Sequence, residues 1–146
     1  MAVDDDPLNL RRFTSAQEGI YDRALSELRS GLKRSHWMWY IFPQIYGLGN
    51  SYNSRYYAIK SVDEARQFLQ HPVLGKRLLE STEAVLAIEG RSVSTIFGYP
   101  DNIKLKSSMT LFADITSTDS VFNRVLEKYF NGERDARTLL FLEKAR

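Results

Sequence analysis

SHWMWYIFPQIYGLGNS, residues 35–51, decides how this chain is to be folded. Its first half is a block of large apolar residues; its second half is glycines and small polar residues. By composition Trp37 to Phe42 fits a buried strand. A strand needs a partner, and the chain contains no second β-rich run. The segment is therefore expected to be irregular or briefly helical, and threaded through the core of a helical protein. Eight of the chain's 18 aromatic residues fall within positions 36–57, which suits a core segment, since each aromatic side chain can bury roughly 150–250 Å².

Outward from this stretch, the chain punctuates as helices. Asp6-Pro7 fits an N-cap followed by proline at the first helical position, opening a short helix that ends near Phe13. Ser15 and Glu18 have capping-box spacing, followed by an apolar stripe of Ile20, Tyr21, Ala24, Leu25, Leu28 and Leu32 with Gly31 as an end signal. Ser61 and Glu64 form a second capping box, and His71-Pro72 breaks and restarts the helix. Leu74, Leu78, Val85 and Ile88 stripe the next helix up to Gly90. Ile103, Leu105, Met109, Leu111 and Phe112 predict another after Pro100. Phe122, Val125, Leu126, Tyr129 and Phe130 form an amphipathic set closed by Asn131-Gly132, and Asp135 caps a last helix. With no fixed-period repeat and no low-complexity linker, residues 1–146 read as one compact all-α multihelical domain carrying one irregular aromatic and glycine-rich segment.

Composition narrows the function classes. The chain has 146 residues, a length that buries a sizeable core. Its 20 basic and 18 acidic residues leave a net charge of +2, which argues against a nucleic-acid partner. The absence of cysteine removes disulfides, thiol catalysis and thiolate metal sites. The opening MAVDDDPLNL has no apolar core of signal length, and the longest apolar run, Trp37 to Phe42, is far short of the ~20 residues that span a bilayer. A soluble, cytoplasmic protein without membrane contact is expected; its oligomeric state is not readable from sequence.

The second half of the opening stretch raises the question of a site. Gly47, Gly49, Asn50, Ser51, Asn53, Ser54 and Arg55 follow Pro43-Gln44. Glycines let backbone amides approach a ligand, and small polar side chains donate to anions. The same residues also make a plain glycine turn between two core segments. Gly47-Leu48-Gly49 lacks the third glycine of a dinucleotide fingerprint, no phosphate loop and no nucleophile elbow is present, and His36 and His71 lack metal-ligand spacing, so no cofactor and no metal are expected.

A second polar cluster, YPDNIKLKSSMTLF, spans residues 99–112. On a helix, Asp101, Lys104 and Ser108 share one face, while Ser107, Thr110 and Asp114 share its neighbour. This is either a solvated face or the wall of a pocket in which Lys104 or Lys106 holds an anion and Asp101 orients the lysine or acts as a base. The candidate ligand-binding set is Trp39, Gln44, Gly47, Gly49, Ser51, Arg55, Lys104, Ser107, Ser108 and Thr110. The candidate acid–base residues are His36, the first chosen because imidazole titrates near neutrality, and Asp101. These residues predict a polar pocket for a small anionic, nucleotide-like ligand, with metal-independent hydrolase or transferase chemistry as its active form. The alternative is a protein-interaction module in which exposed Tyr and Trp side chains anchor a partner.

Three blocks, SHWMWYIFPQIYGLGNSYNSRYYAI, EARQFLQHPVLGKRL and IFGYPDNIKLKSSMTLF, resemble in order the family catalogued as domain of unknown function 1810. The resemblance extends over nearly the whole chain and implies a small, mainly α-helical single domain. Its signature positions include His36, Trp37, Trp39, Phe42, Gln44, Gly49, Asp101, Lys104, Ser107 and Thr110. It brings no activity with it. Relatives are sometimes labelled calpastatin, but such inhibitors are disordered and repetitive, and this chain is neither.

Overall fold

The computed structural model describes residues 5–146, which form ten helices. These are α1 (Arg11–Gln17), α2 (Tyr21–Ser30), α3 (Met38–Ile41), α4 (Tyr52–Tyr56), α5 (Val62–Gln70), α6 (Leu74–Ala87), α7 (Val93–Phe97), α8 (Asp101–Asp114), α9 (Val121–Phe130) and α10 (Ala136–Ala145). The all-α expectation holds. The only pairing with β geometry among the described residues is an isolated parallel bridge between Ile45 and Ile59.

The expected caps are met at several ends. Ser61 Oγ accepts the Glu64 amide at 3.0 Å, and Asp135 Oδ2 accepts the Thr138 amide at 2.9 Å. Gly31 and Asn131 close α2 and α9 in the left-handed region. His71 ends α5, and its Nδ1 accepts the amides of Val73 and Leu74, the latter opening α6. Gly75 has a packing reason to be glycine: a Cβ there would lie 1.9 Å from the Leu69 carbonyl oxygen.

The first two starts differ from expectation. Asp6 accepts the amides of Leu10 and Arg11, but α1 begins only at Arg11. Ser15 lies inside α1, its carbonyl taking the Glu18 amide, so the supposed capping box opens nothing. The chain instead turns through Gly19 at φ 74°, and α2 starts without a side-chain cap. Helix α7, with Ser92 as its cap, is too short to show an apolar period and was not expected.

Helices α6 and α8 are the structural centre. α6 packs on α2, α5 and α9, and α8 on α7, α9 and α10. The apolar half of the opening stretch lies in the core as expected: Trp37, Met38, Ile41 and Phe42 are buried. The two polar walls of α8 are half-exposed only at their charged ends, Asp101, Lys104 and Asp114. Ser107, Ser108 and Thr110 are all buried, alongside Leu105, Met109, Leu111 and Phe112. Ser107 and Thr110 satisfy their hydroxyls by donating to the carbonyls of Ile103 and Lys106, four residues back. That local bond lets a polar side chain sit in an apolar layer.

Candidate functional site

Two charged side chains from the helices hold the irregular segment in place. Glu27, buried on α2, accepts four hydrogen bonds: from the amides of Arg34 and Ser35, the Ser35 hydroxyl and Trp37 Nε1, at 2.6–3.0 Å. Burial works to raise the Glu27 pKa, but the donors from Ser35, Arg34 and Trp37 outweigh it and bring it down to about 2. The second is Arg12 on α1. Its guanidinium donates to the carbonyls of Leu8, Asn9, Tyr56 and Ala58 and to the Glu64 carboxylate at 2.6 Å, with both charged side chains almost wholly buried. Arg12 thereby fixes the end of α4. The carbonyl of Gln44 accepts the Ile59 amide and the Tyr46 amide donates back to Ile59, both at 2.8 Å, closing the loop between them.

The Glu27 bonds carry a pH prediction. The carboxylate is ionised in the folded protein down to about pH 2, whereas the free side chain takes up its proton near 4.5. Its contribution is fully present above pH 4.5 and is lost as the pH falls from there toward 2, by up to about 3 kcal/mol. Denaturant titrations at stepped pH should show this loss in the wild type and a shallower dependence in E27Q. Parallel curves for the two proteins would contradict the assignment.

With this scaffold fixed, the loop after Phe42 and helix α8 face each other across a cavity of about 230 Å³. Gln44, Leu48, Gly49 and Ser54 line one side, Tyr99, Pro100, Ile103, Lys104 and Ser107 the other, and Asp135 and Arg137 from the start of α10 complete it. The glycines serve packing as well as access. A Cβ at Gly49 would lie 2.7 Å from Ser54, and one at Gly47, whose φ is 112°, would lie 2.9 Å from the Phe141 ring. The loop can therefore seat against α4 and α10 only with glycine at these positions.

Charge in the cavity is unequal. Lys104 lies with its ammonium 5.2 Å from the Trp39 ring centre and 3.9 Å from Asp101. Asp101 is itself held by Lys33 at 2.8 Å, and the Lys33 ammonium also donates to the Ser35 carbonyl and sits over Trp37. Asp135 lines the cavity, but its carboxylate is engaged in capping α10, taking both the amide and the hydroxyl of Thr138. The guanidinium of Arg137 and the side-chain amide of Gln44 have no hydrogen-bond or ion-pair partner among the described residues. Two cations and a free amide thus face one carboxylate that is already occupied.

The expected site residues divide accordingly. Gln44, Gly49, Lys104 and Ser107 meet in the cavity. Trp39 stands behind Lys104, and its indole N–H is buried without a partner among the described residues. Ser51 caps α4 through Ser54. Gly47 packs on Phe141, Ser108 and Thr110 are interior, and Arg55 lines a different surface with Tyr46, Tyr52, Tyr56 and Lys60. His36 is exposed and outside the cavity lining, its carbonyl accepting the Tyr40 hydroxyl. Ser54, named only as part of the glycine loop, and Tyr99 and Arg137 were not among the expected ligand contacts. Tyr99 opens the second polar cluster; Arg137 reaches the site only because α10 docks on α8.

This helical fold, with its loop-and-helix cavity, belongs to a family: residues 7–142 match the model described as Protein of unknown function (DUF1810), and the chain is a member of it. It is similar to the conserved hypothetical protein Rv1873 from Mycobacterium tuberculosis, whose crystal structure superposes with a TM-score of 0.92 at 48% identity, covering 94% of this chain and 99% of that one. No curated protein matches the chain. Among the described residues no helix is long and apolar enough to cross a membrane, and no group of three or more His, Asp or Glu side chains is arranged to hold a metal ion.

Proposed function

We propose that the cavity between the Gln44–Ser54 loop and α8 binds a small anionic ligand. The observation that carries this reading is the convergence of Lys104, Arg137 and the unpartnered Gln44 amide, from three separate parts of the chain, on a space whose one carboxylate is occupied. Lys104 is half-enclosed, where less solvent screens its charge, and Arg137 adds an exposed cation at the rim.

Size limits the ligand. A volume of about 230 Å³ lies below the range of roughly 300–1,000 Å³ that encloses a drug-sized molecule. It accepts a phosphate or carboxylate with a short attached group. A nucleotide would place its phosphate between Lys104 and Arg137 and its ring at the mouth, where Tyr99 is 81% exposed and offers a stacking face.

Binding is better supported than turnover. An acid–base residue must reach the reacting atoms. Neither His36 nor Asp101 lines the cavity, and the Asp101 carboxylate is engaged by Lys33 and Lys104. Its role in this reading is to orient Lys104.

A thermal-shift panel of nucleoside monophosphates, sugar phosphates and small dicarboxylates tests the proposal. A ligand at 100 times its Kd adds about 2.7 kcal/mol, which raises the Tm of a domain this size by roughly 5–10 °C. Lys104→Ala and Arg137→Ala should each abolish most of that shift. Their own stability should stay within about 1 kcal/mol of the wild type, because Arg137 is unpaired and Asp101 keeps Lys33 when Lys104 is removed. No shift with any anion, or shifts indifferent to both substitutions, would count against the cavity as a site.

A further inference from the structure

On the opposite side of α4 from Ser54, the chain displays an aromatic and basic surface that the cavity does not use. Tyr46, Tyr52, Arg55, Tyr56 and Lys60 line it. Tyr52 and Tyr56 are four residues apart on the helix and so lie one above the other. Their rings stack at 5.5 Å with an interplanar angle of 14°, and they are 66% and 40% exposed; Tyr46 beside them is 47% exposed. Aromatic side chains of this size exposed together, rather than singly, mark a surface that something covers.

Local charge says what. The whole chain is nearly balanced, which argued against nucleic acid, but the balance is an average. From residue 28 to residue 62 there is no Asp or Glu, and Arg55 and Lys60 of this face fall within that run. Arg55 and Lys60 have no ion-pair partner among the described residues, and the surface they flank has no carboxylate in its lining. Flat ring faces beside unpaired cations complement a ligand with unstacked bases and a phosphate backbone, the pairing used by proteins that bind single strands.

The platform is rigid before anything binds. Tyr57 anchors α4 to the core through Tyr40 and Phe13, with ring centres 5.3 and 6.0 Å away. Arg12 ties down the carbonyls of Tyr56 and Ala58, and the Ile45–Ile59 bridge sets Tyr46 alongside. Little ordering entropy remains to be lost on binding.

We infer that the Tyr46–Tyr52–Tyr56 face with Arg55 and Lys60 docks single-stranded nucleic acid by base stacking and phosphate contact. The inference stands independently of the cavity.

Fluorescence anisotropy with a short fluorescein-labelled oligouridylate tests it. Affinity should fall with salt between roughly 50 and 200 mM, with about 0.7 of log–log slope for each phosphate contact. Arg55→Ala and Lys60→Ala should each reduce that slope by about this amount. Tyr52→Ala should weaken binding roughly 5- to 150-fold, the loss of one stacked base, and Tyr52→Phe should restore it. Tyr52 is exposed enough that thermal melting of these variants should match the wild type. The inference is overturned if the oligonucleotide does not bind at low salt, if a duplex of the same length binds equally well, or if Tyr52→Ala changes nothing. It is equally overturned if polyglutamate displaces the strand at matched charge concentration, which would assign the face to an acidic protein partner.

Discussion

Replacing Arg12 with alanine is expected to destabilise the protein by about 3–5 kcal/mol. The charge of Arg12 is buried, and its donors serve four carbonyls as well as Glu64. Removing it strands the Glu64 carboxylate, which among the described residues retains only the Lys60 amide at 2.9 Å. The penalty for an uncompensated buried charge is larger than the net worth of the pair, so the double variant Arg12→Met, Glu64→Leu should recover part of the loss. Urea denaturation of the single and double variants reads both numbers. A loss below about 1 kcal/mol for Arg12→Ala would mean that water reaches the pair and that Arg12 does not pin α4.

Trp37→Ala should cost a similar amount, about 3–5 kcal/mol. The side chain is wholly buried, its ring centre 6.2 Å from that of Phe42, and its N–H feeds Glu27. Alanine opens a cavity and also removes one of the Glu27 donors. Trp37→Phe separates the two effects: most of the volume remains, and the loss should drop to about 1–2 kcal/mol, near the value of one buried hydrogen bond to a charge. Calorimetric melting of both variants checks the split. Equal losses for Ala and Phe would show that the hydrogen bond, not the packing, dominates.

Both residues illustrate where the sequence is readable. Trp37 was expected in the core, because an apolar block with no β partner has nowhere else to go. Arg12 and Glu27 were not singled out, because a charge on a helix is usually solvated and no local pattern reveals a partner 52 positions away, as Glu64 is from Arg12. The caps at Ser61, Asp135 and Asn131 were legible since capping is decided within four residues. The Ser15–Glu18 spacing misled because the left-handed turn at Gly19 intervenes before α2. Helix α8 misled in a different way. From Ser107 to Ala113 it is buried on every side, with no polar stripe to read there, and Ser107 and Thr110 pass into the interior by bonding backward along the helix.

The candidate cavity was legible in outline and not in detail. Two compositionally odd segments, 44–54 and 99–107, do meet across one space. Arg137 was invisible, since it arrives through the docking of α10. Arg55, grouped by sequence with the glycine loop, faces away from it because α4 is a helix: residues Ser54 and Arg55 are neighbours in sequence and point about 100° apart. One short helix thus carries a residue of the cavity on one side and the tyrosine platform on the other.

Lys104 and Arg137 are proposed to bind an anion in the cavity. Amide chemical-shift mapping during titration with a nucleoside monophosphate tests it most directly. The expected result is saturable shifts at Gly49, Lys104, Ser107 and Arg137, absent in Lys104→Ala. Shifts confined to Tyr46, Tyr52 and Tyr56, or none at saturating ligand, would contradict it.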